Sequence, residues 1–95
     1  MEQRISLITL GVRDMEASAQ FYESLGWKRV ESEEGIIAFD LISQTIGLYP
    51  LEKLAEDMNL PVEDLGTGAM TLSHNVRKAE DVTALMERAR AAGAS

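Results

Sequence analysis

Cysteine is absent from this 95-residue chain, which removes disulfides, thiolate metal sites and cysteine nucleophiles together. Histidine occurs once, at His74, so the chain offers one neutral nitrogen ligand, and one ligand does not hold a catalytic ion. Lysine and arginine number 9 against 16 aspartates and glutamates, and the net charge of −7 excludes the basic face that nucleic acid or an anionic membrane surface requires. No apolar run approaches the roughly 20 residues that span a bilayer. No charged-then-apolar leader precedes the first regular segment, so a cytoplasmic location is expected. A chain of this length makes one domain that buries about two-thirds of its unfolded surface. A large closed core is therefore not expected of a free monomer.

What the chain does contain is a repeated pattern. Residues 5–27 (ISLITLGVRDMEASAQFYESLGW) read as a strand running into a helix, and residues 69–93 repeat that order. Setting Val12-Arg13 on Val76-Arg77 lays Ile8-Thr9 over Leu72-Ser73 and Phe21-Tyr22 over Leu85-Met86. Asp14 stands where an N-cap accepts a backbone N–H, and Gly26 supplies the stop. After the first helix come three strand-like runs, residues 27–32, 36–42 and 45–49, giving βαβββ. The second unit offers only βα. The expected division is a first module over residues 1–50, a linker over 51–68 and a partial second module over 69–95. The linker's acids, including Glu52, Glu56 and Asp57, lack the ligand spacing of a calcium loop and read as a solvated surface.

Alternation along each strand separates two faces. Ile8, Leu10, Ile46, Leu48, Met70 and Leu72 are larger aliphatics, expected to pack beneath the two helices. Leu7, Thr9, Gly47, Tyr49, Thr71 and Ser73 are mostly small or hydroxylated and are expected to line a common cleft. His74 falls out of phase with that second set and reads as a strand-end histidine bonded to a neighbouring loop. Asp40 stands alone in its strand, which suits an outward carboxylate better than a general base. Tyr49 and Trp27 are the aromatics that could stack on a planar ligand.

A V-x-D step opening a helix that closes on F-Y and then L-G-W (Val12, Asp14, Phe21-Tyr22, Leu25-Gly26-Trp27) resembles the first module of the vicinal oxygen chelate superfamily. That group contains glyoxalase I, bleomycin-resistance proteins and extradiol dioxygenases. Residues 66–76 (GTGAMTLSHNV) are similar to the opening of its second module. The resemblance implies an α+β fold of paired βαβββ modules, the first complete and the second present only as βα.

In metal-dependent members, His, Glu and Gln side chains from the first and last strands of each module project into a shared cleft. The resemblance places those positions at Leu7, at Gly47 and at Ala69 or Thr71, the fourth lying in strands beyond residue 95. None is a credible donor to a divalent metal. The implied activity is metal-independent binding of a small-molecule ligand, similar to bleomycin-resistance proteins, in a homodimer with no cofactor. The alternatives are a divalent-metal-dependent glyoxalase-like lyase or dioxygenase, or a non-catalytic assembly fragment.

Overall fold

The structure is a computed structural model that describes residues 1–66 and 68–94; Thr67, within the linker and the 66–76 stretch, lies outside the described residues. The fold is α+β. Strand β1 (Leu7–Val12) leads into helix α1 (Met15–Ser24), followed by β2 (Arg29–Val30), β3 (Ile37–Leu41) and β4 (Gln44–Pro50). Helix α2 (Leu51–Asp57) starts directly at the end of β4, and one 3-10 turn (Val62–Asp64) precedes β5 (Met70–Ser73) and α3 (Ala79–Ala91). The described strands form one sheet in the order β2-β3-β4-β1-β5. β1 runs parallel to β4 and antiparallel to β5, while β2–β3 and β3–β4 are antiparallel.

The β1–β5 ladder carries the repeat seen in the sequence. Ile8 and Leu72, equivalent when the two strand–helix units are superposed, pair with each other, with Leu7↔Ser73 and Thr9↔Thr71 on either side. Equivalent residues pairing antiparallel about one point are what a local two-fold relation between the units produces.

Helix α1 forms where the sequence places it because Asp14 caps it, its Oδ1 accepting from the Ala17 N–H at 3.0 Å. Its buried stripe centres on Ala19, which packs with Phe39 and Leu48, all three fully buried, and around them lie Leu10, Val12, Tyr22, Trp27 and Ile46. Tyr22 stacks on Trp27 with centroids 4.8 Å apart, and both rings approach Phe39 at 5.8 Å. Trp27 is thus a core residue on the helix face and does not reach the cleft face.

The expectation that both helices cover the aliphatic face of the sheet fails in part. Phe21 and Leu25 are exposed, because the helix turns its small Ala19 to the sheet and sends the larger pair outward. Met70 and Leu72 are 50% and 56% exposed, and α3 covers neither: it buries no residue, and its Val82 and Met86 stay in solvent. The physical reason is sheet width. α1 lies over the middle of the sheet, its Ala19 packing on Phe39 of β3 and Leu48 of β4, whereas β5 is the last described strand and nothing beyond it widens the face beneath α3. The β2 segment is also shorter than the run from 27 to 32, since only Arg29 and Val30 pair with β3.

Arg29 fastens β2 to α1, donating to Glu16 at 2.7 and 3.1 Å and to Glu23 at 3.0 Å through each of two nitrogens. Those hydrogen bonds, followed by the guanidinium charge, hold both carboxyls below their ordinary value of 4.5. Carboxyls depressed in the folded state contribute stability above their unfolded value and lose it as pH falls through the folded one. Arg29→Met is therefore expected to lower the urea midpoint near neutrality and to converge with the parent as pH falls from the ordinary 4.5 through the carboxyls' lowered folded values. Parallel urea curves at each pH check this, and an equal offset at every pH would contradict it.

Candidate functional site on the open sheet face

The registers place side chains of the cleft-facing set in cross-strand rows. In one row Asp40 pairs with Thr45, the register that joins Ile8 to Ile46 sets Leu7 beside Thr45, and Leu7 pairs with Ser73. The next row is Val30, Ala38, Gly47, Thr9 and Thr71. A third holds Tyr49 and Gly11, with the Gly11 N–H donating to the Ala69 carbonyl at 2.9 Å. All six sequence-named residues thus lie on one face, as alternation requires.

The middle row is a floor of small side chains. A Cβ on Gly47 would lie 3.5 Å from Ile36 Cγ2 and 3.6 Å from Leu7 Cδ1, so those aliphatics lean over the floor without filling it. One flank is walled by α2, which rests on the third row because Gly11 has no side chain: a Cβ there would lie 2.7 Å from Leu54 Cδ2 and 2.9 Å from Leu51 Cδ1. The other flank is the Asp40 row. Four strands at about 4.8 Å and rows about 7 Å apart give a shallow trough roughly 14 Å long, its Ala38 and Gly47 floor buried and its Leu7, Thr9, Thr71 and Ser73 side chains half-buried.

Tyr49 is half-buried at the α2 flank, beside a cavity of about 280 Å³ shared with Glu34, Pro50 and Lys53. Partial burial, and then the Asp57 carboxylate, hold its hydroxyl above the usual tyrosine range, so it stays protonated at neutral pH. The trough's polar groups are otherwise hydroxyls: Thr9, Thr71 and Ser73, all half-buried, and Thr45, which donates to Asp40 Oδ1 at 3.1 Å. Asp40, Thr45, Ala38 and Ile36 are members that strand alternation alone did not gather, because joining β3 to β4 in the correct register needed the turn at Ile42-Ser43, where Ser43 takes φ 64°. His74 lies just past the end of β5, its Nδ1 2.9 Å from the Arg4 carbonyl, a contact in which the ring N–H donates. It is a strand-end histidine, as its phase indicates.

The positions where metal-dependent relatives would carry ligands do not fit an ion. Leu7 turns a methyl group toward Gly47, which has no side chain to donate, and Thr71 offers only a hydroxyl opposite Thr9. Among the described residues no three His, Asp or Glu side chains converge.

The model of the glyoxalase/bleomycin resistance protein/dioxygenase superfamily matches residues 4–95. The chain belongs to this superfamily. Among solved structures it is similar to a glyoxalase-related enzyme from Fulvimarina pelagi, 40% identical over 97% of this chain and 66% of that one, with a TM-score of 0.59. A hypothetical protein from S. aureus is 26% identical over 98% and 71% of the two chains, with a TM-score of 0.57. A superfamily member from Nocardioides shares the fold at 22% identity, covering 100% and 65%, with a TM-score of 0.56. No curated protein matches. The chain thus spans about two-thirds of the length of these superfamily structures. No described helix is long and apolar enough to cross a membrane.

Proposed function

We propose that this superfamily member binds a small amphipathic or aromatic molecule in the trough, without a metal ion, as a cytoplasmic homodimer. The observation that carries the reading is the floor row of Ala38, Gly47, Thr9 and Thr71, apolar at one end and hydroxylated at the other, with Leu7 and Ile36 above it. Such a surface can hold a ring by apolar contact and orient it by a few hydrogen bonds. It has no group that would polarise a substrate oxygen in the way a bound metal does.

The dimer is supported by the contrast between the two sheet edges. β2 is a protected edge, two residues long, led by Arg29 and flanked by Lys28 and Glu31. β5 sits in an uncharged run from Gly66 to Val76, and the exposed Met70 and Leu72 flank its free edge. In the proposed dimer the βαβββ sheet of one chain lies beside the βα unit of the other. Native mass spectrometry reads both parts at once. The expected species is twice the 10.5 kDa chain mass with no added metal. About one tightly held divalent ion per chain would overturn the metal-independent reading, and a lone chain at micromolar concentration would overturn the dimer.

A further inference from the structure

Besides the neutral Tyr49 hydroxyl, the rows of the trough hold one ionisable side chain, and that residue is a carboxylate. Asp40 is exposed at the β3 end of the first row, aligned through Thr45 and Leu7 with Ser73. Thr45 Oγ1 donates to Asp40 Oδ1, which fixes the carboxylate toward its neighbour in the row and leaves its other oxygen without a protein donor among the described hydrogen bonds. No cation pairs with it: the described salt bridges join Arg4 to Glu2 and Arg29 to Glu16 and Glu23. Lys28 shares a cavity with Asp40 on the side of Trp27 and Leu41, yet makes no ion pair within 4.0 Å. Arg4 is turned away to the Asn75 carbonyl at 2.7 Å and Ser6 Oγ at 2.7 Å. At the opposite flank the nearest carboxylates are Asp57 and Glu56, beside the protonated Tyr49 hydroxyl.

We infer that the trough selects organic cations, with Asp40 as the specificity-determining residue: an ammonium or amidinium group meets Asp40 at the β3 end while the apolar body lies along Ala38, Gly47 and Thr9. This rests on the proposal that the trough is a binding site. An anionic ligand of the same shape would meet the Asp40 carboxylate at the β3 end; the ammonium groups nearby stand at the rims, Lys28 in the cavity beside Asp40 and Lys53 in the cavity beside Tyr49. The overall charge of −7 raises the local concentration of cations in the same direction.

Three matched probes on one ring test it: naphthylmethylamine, naphthylmethanol and naphthoate, each titrated while amide shifts of Thr9, Gly47 and Thr71 are followed by NMR. The amine is expected to bind about five- to tenfold more tightly than the alcohol, with naphthoate weakest. Asp40→Asn, isosteric and on the surface, should bring the amine down to the alcohol. As a check that needs no variant, raising salt from about 0.05 to about 0.5 M should weaken the amine and leave the alcohol unchanged. Amine and alcohol moving the same amides with equal affinity, insensitive to salt and to Asp40→Asn, would overturn the charge selection and leave the binding site standing. None of the three moving those amides would overturn both.

Discussion

Phe39→Ala should cost about 3–5 kcal/mol, which removes most of the stability a domain of this size possesses. Phe39 is fully buried with Leu48 and Ala19, and its ring touches the Tyr22–Trp27 stack, so truncation leaves a cavity where α1 meets the sheet. Few other large side chains share the load: among the described residues the fully buried ones are Phe39, Leu48 and Leu54. Leu48→Ala should behave similarly, at about 2–5 kcal/mol, because it is fully buried and lies across from Leu10 on one neighbouring strand and Ile37 on the other. Ile42→Ala is the control, since Ile42 is 98% exposed in the β3–β4 turn and should change stability by less than about 0.5 kcal/mol. Urea midpoints at constant slope give the comparison. Equal losses for Phe39→Ala and Ile42→Ala would mean that the core lies elsewhere.

The parts of the fold legible in the sequence are those set by local chemistry. The Asp14 cap, the small-and-hydroxylated against aliphatic alternation in β1 and β5, and the break at Pro50 each depend on a few adjacent residues, and each appears where those residues stand. Burial of Met70 and Leu72 was not legible, because it depends on whether another strand lies beyond β5, and periodicity in α3 cannot report that. The apolar spacing of Val82, Leu85, Met86 and Ala89 describes a helix suited to a sheet without stating that the sheet is there. Phe21 shows a related limit: it lies next to the buried stripe, and only packing decides that Ala19 is the residue to face Leu48. At the candidate site, alternation gathered Leu7, Thr9, Gly47, Tyr49, Thr71 and Ser73. It left out Asp40 and Ala38, whose membership follows from the β3–β4 register. Tyr49 keeps its face, with its hydroxyl near Asp57 of α2, a contact that depends on α2 folding back over Gly11.

Gly47→Val should abolish binding in the trough while leaving the fold intact. Gly47 is the lowest point of the floor, its neighbours Ile36 Cγ2 and Leu7 Cδ1 standing at ordinary contact distance from an added Cβ. Its backbone is not in the left-handed region, so valine meets no conformational strain there. A β-branched side chain in the middle of a strand replaces the residue that loses most entropy on folding, so stability should stay level or rise by up to about 1 kcal/mol. The two methyl groups, however, occupy the space between Leu7 and Ile36 into which a ring would settle. Loss of function without loss of stability separates a binding surface from a merely structural one.

The direct test is to titrate the parent and Gly47→Val with naphthylmethanol in the presence of EDTA, following amide shifts across the sheet and the thermal melt of each protein. The expected result is a saturable response confined to Thr9, Gly47, Thr71 and their row neighbours in the parent, unchanged by the chelator, and no such response in a variant that melts at the same temperature or higher. A parent response that vanishes with EDTA, or a variant that binds as the parent does, would contradict metal-independent binding in the trough.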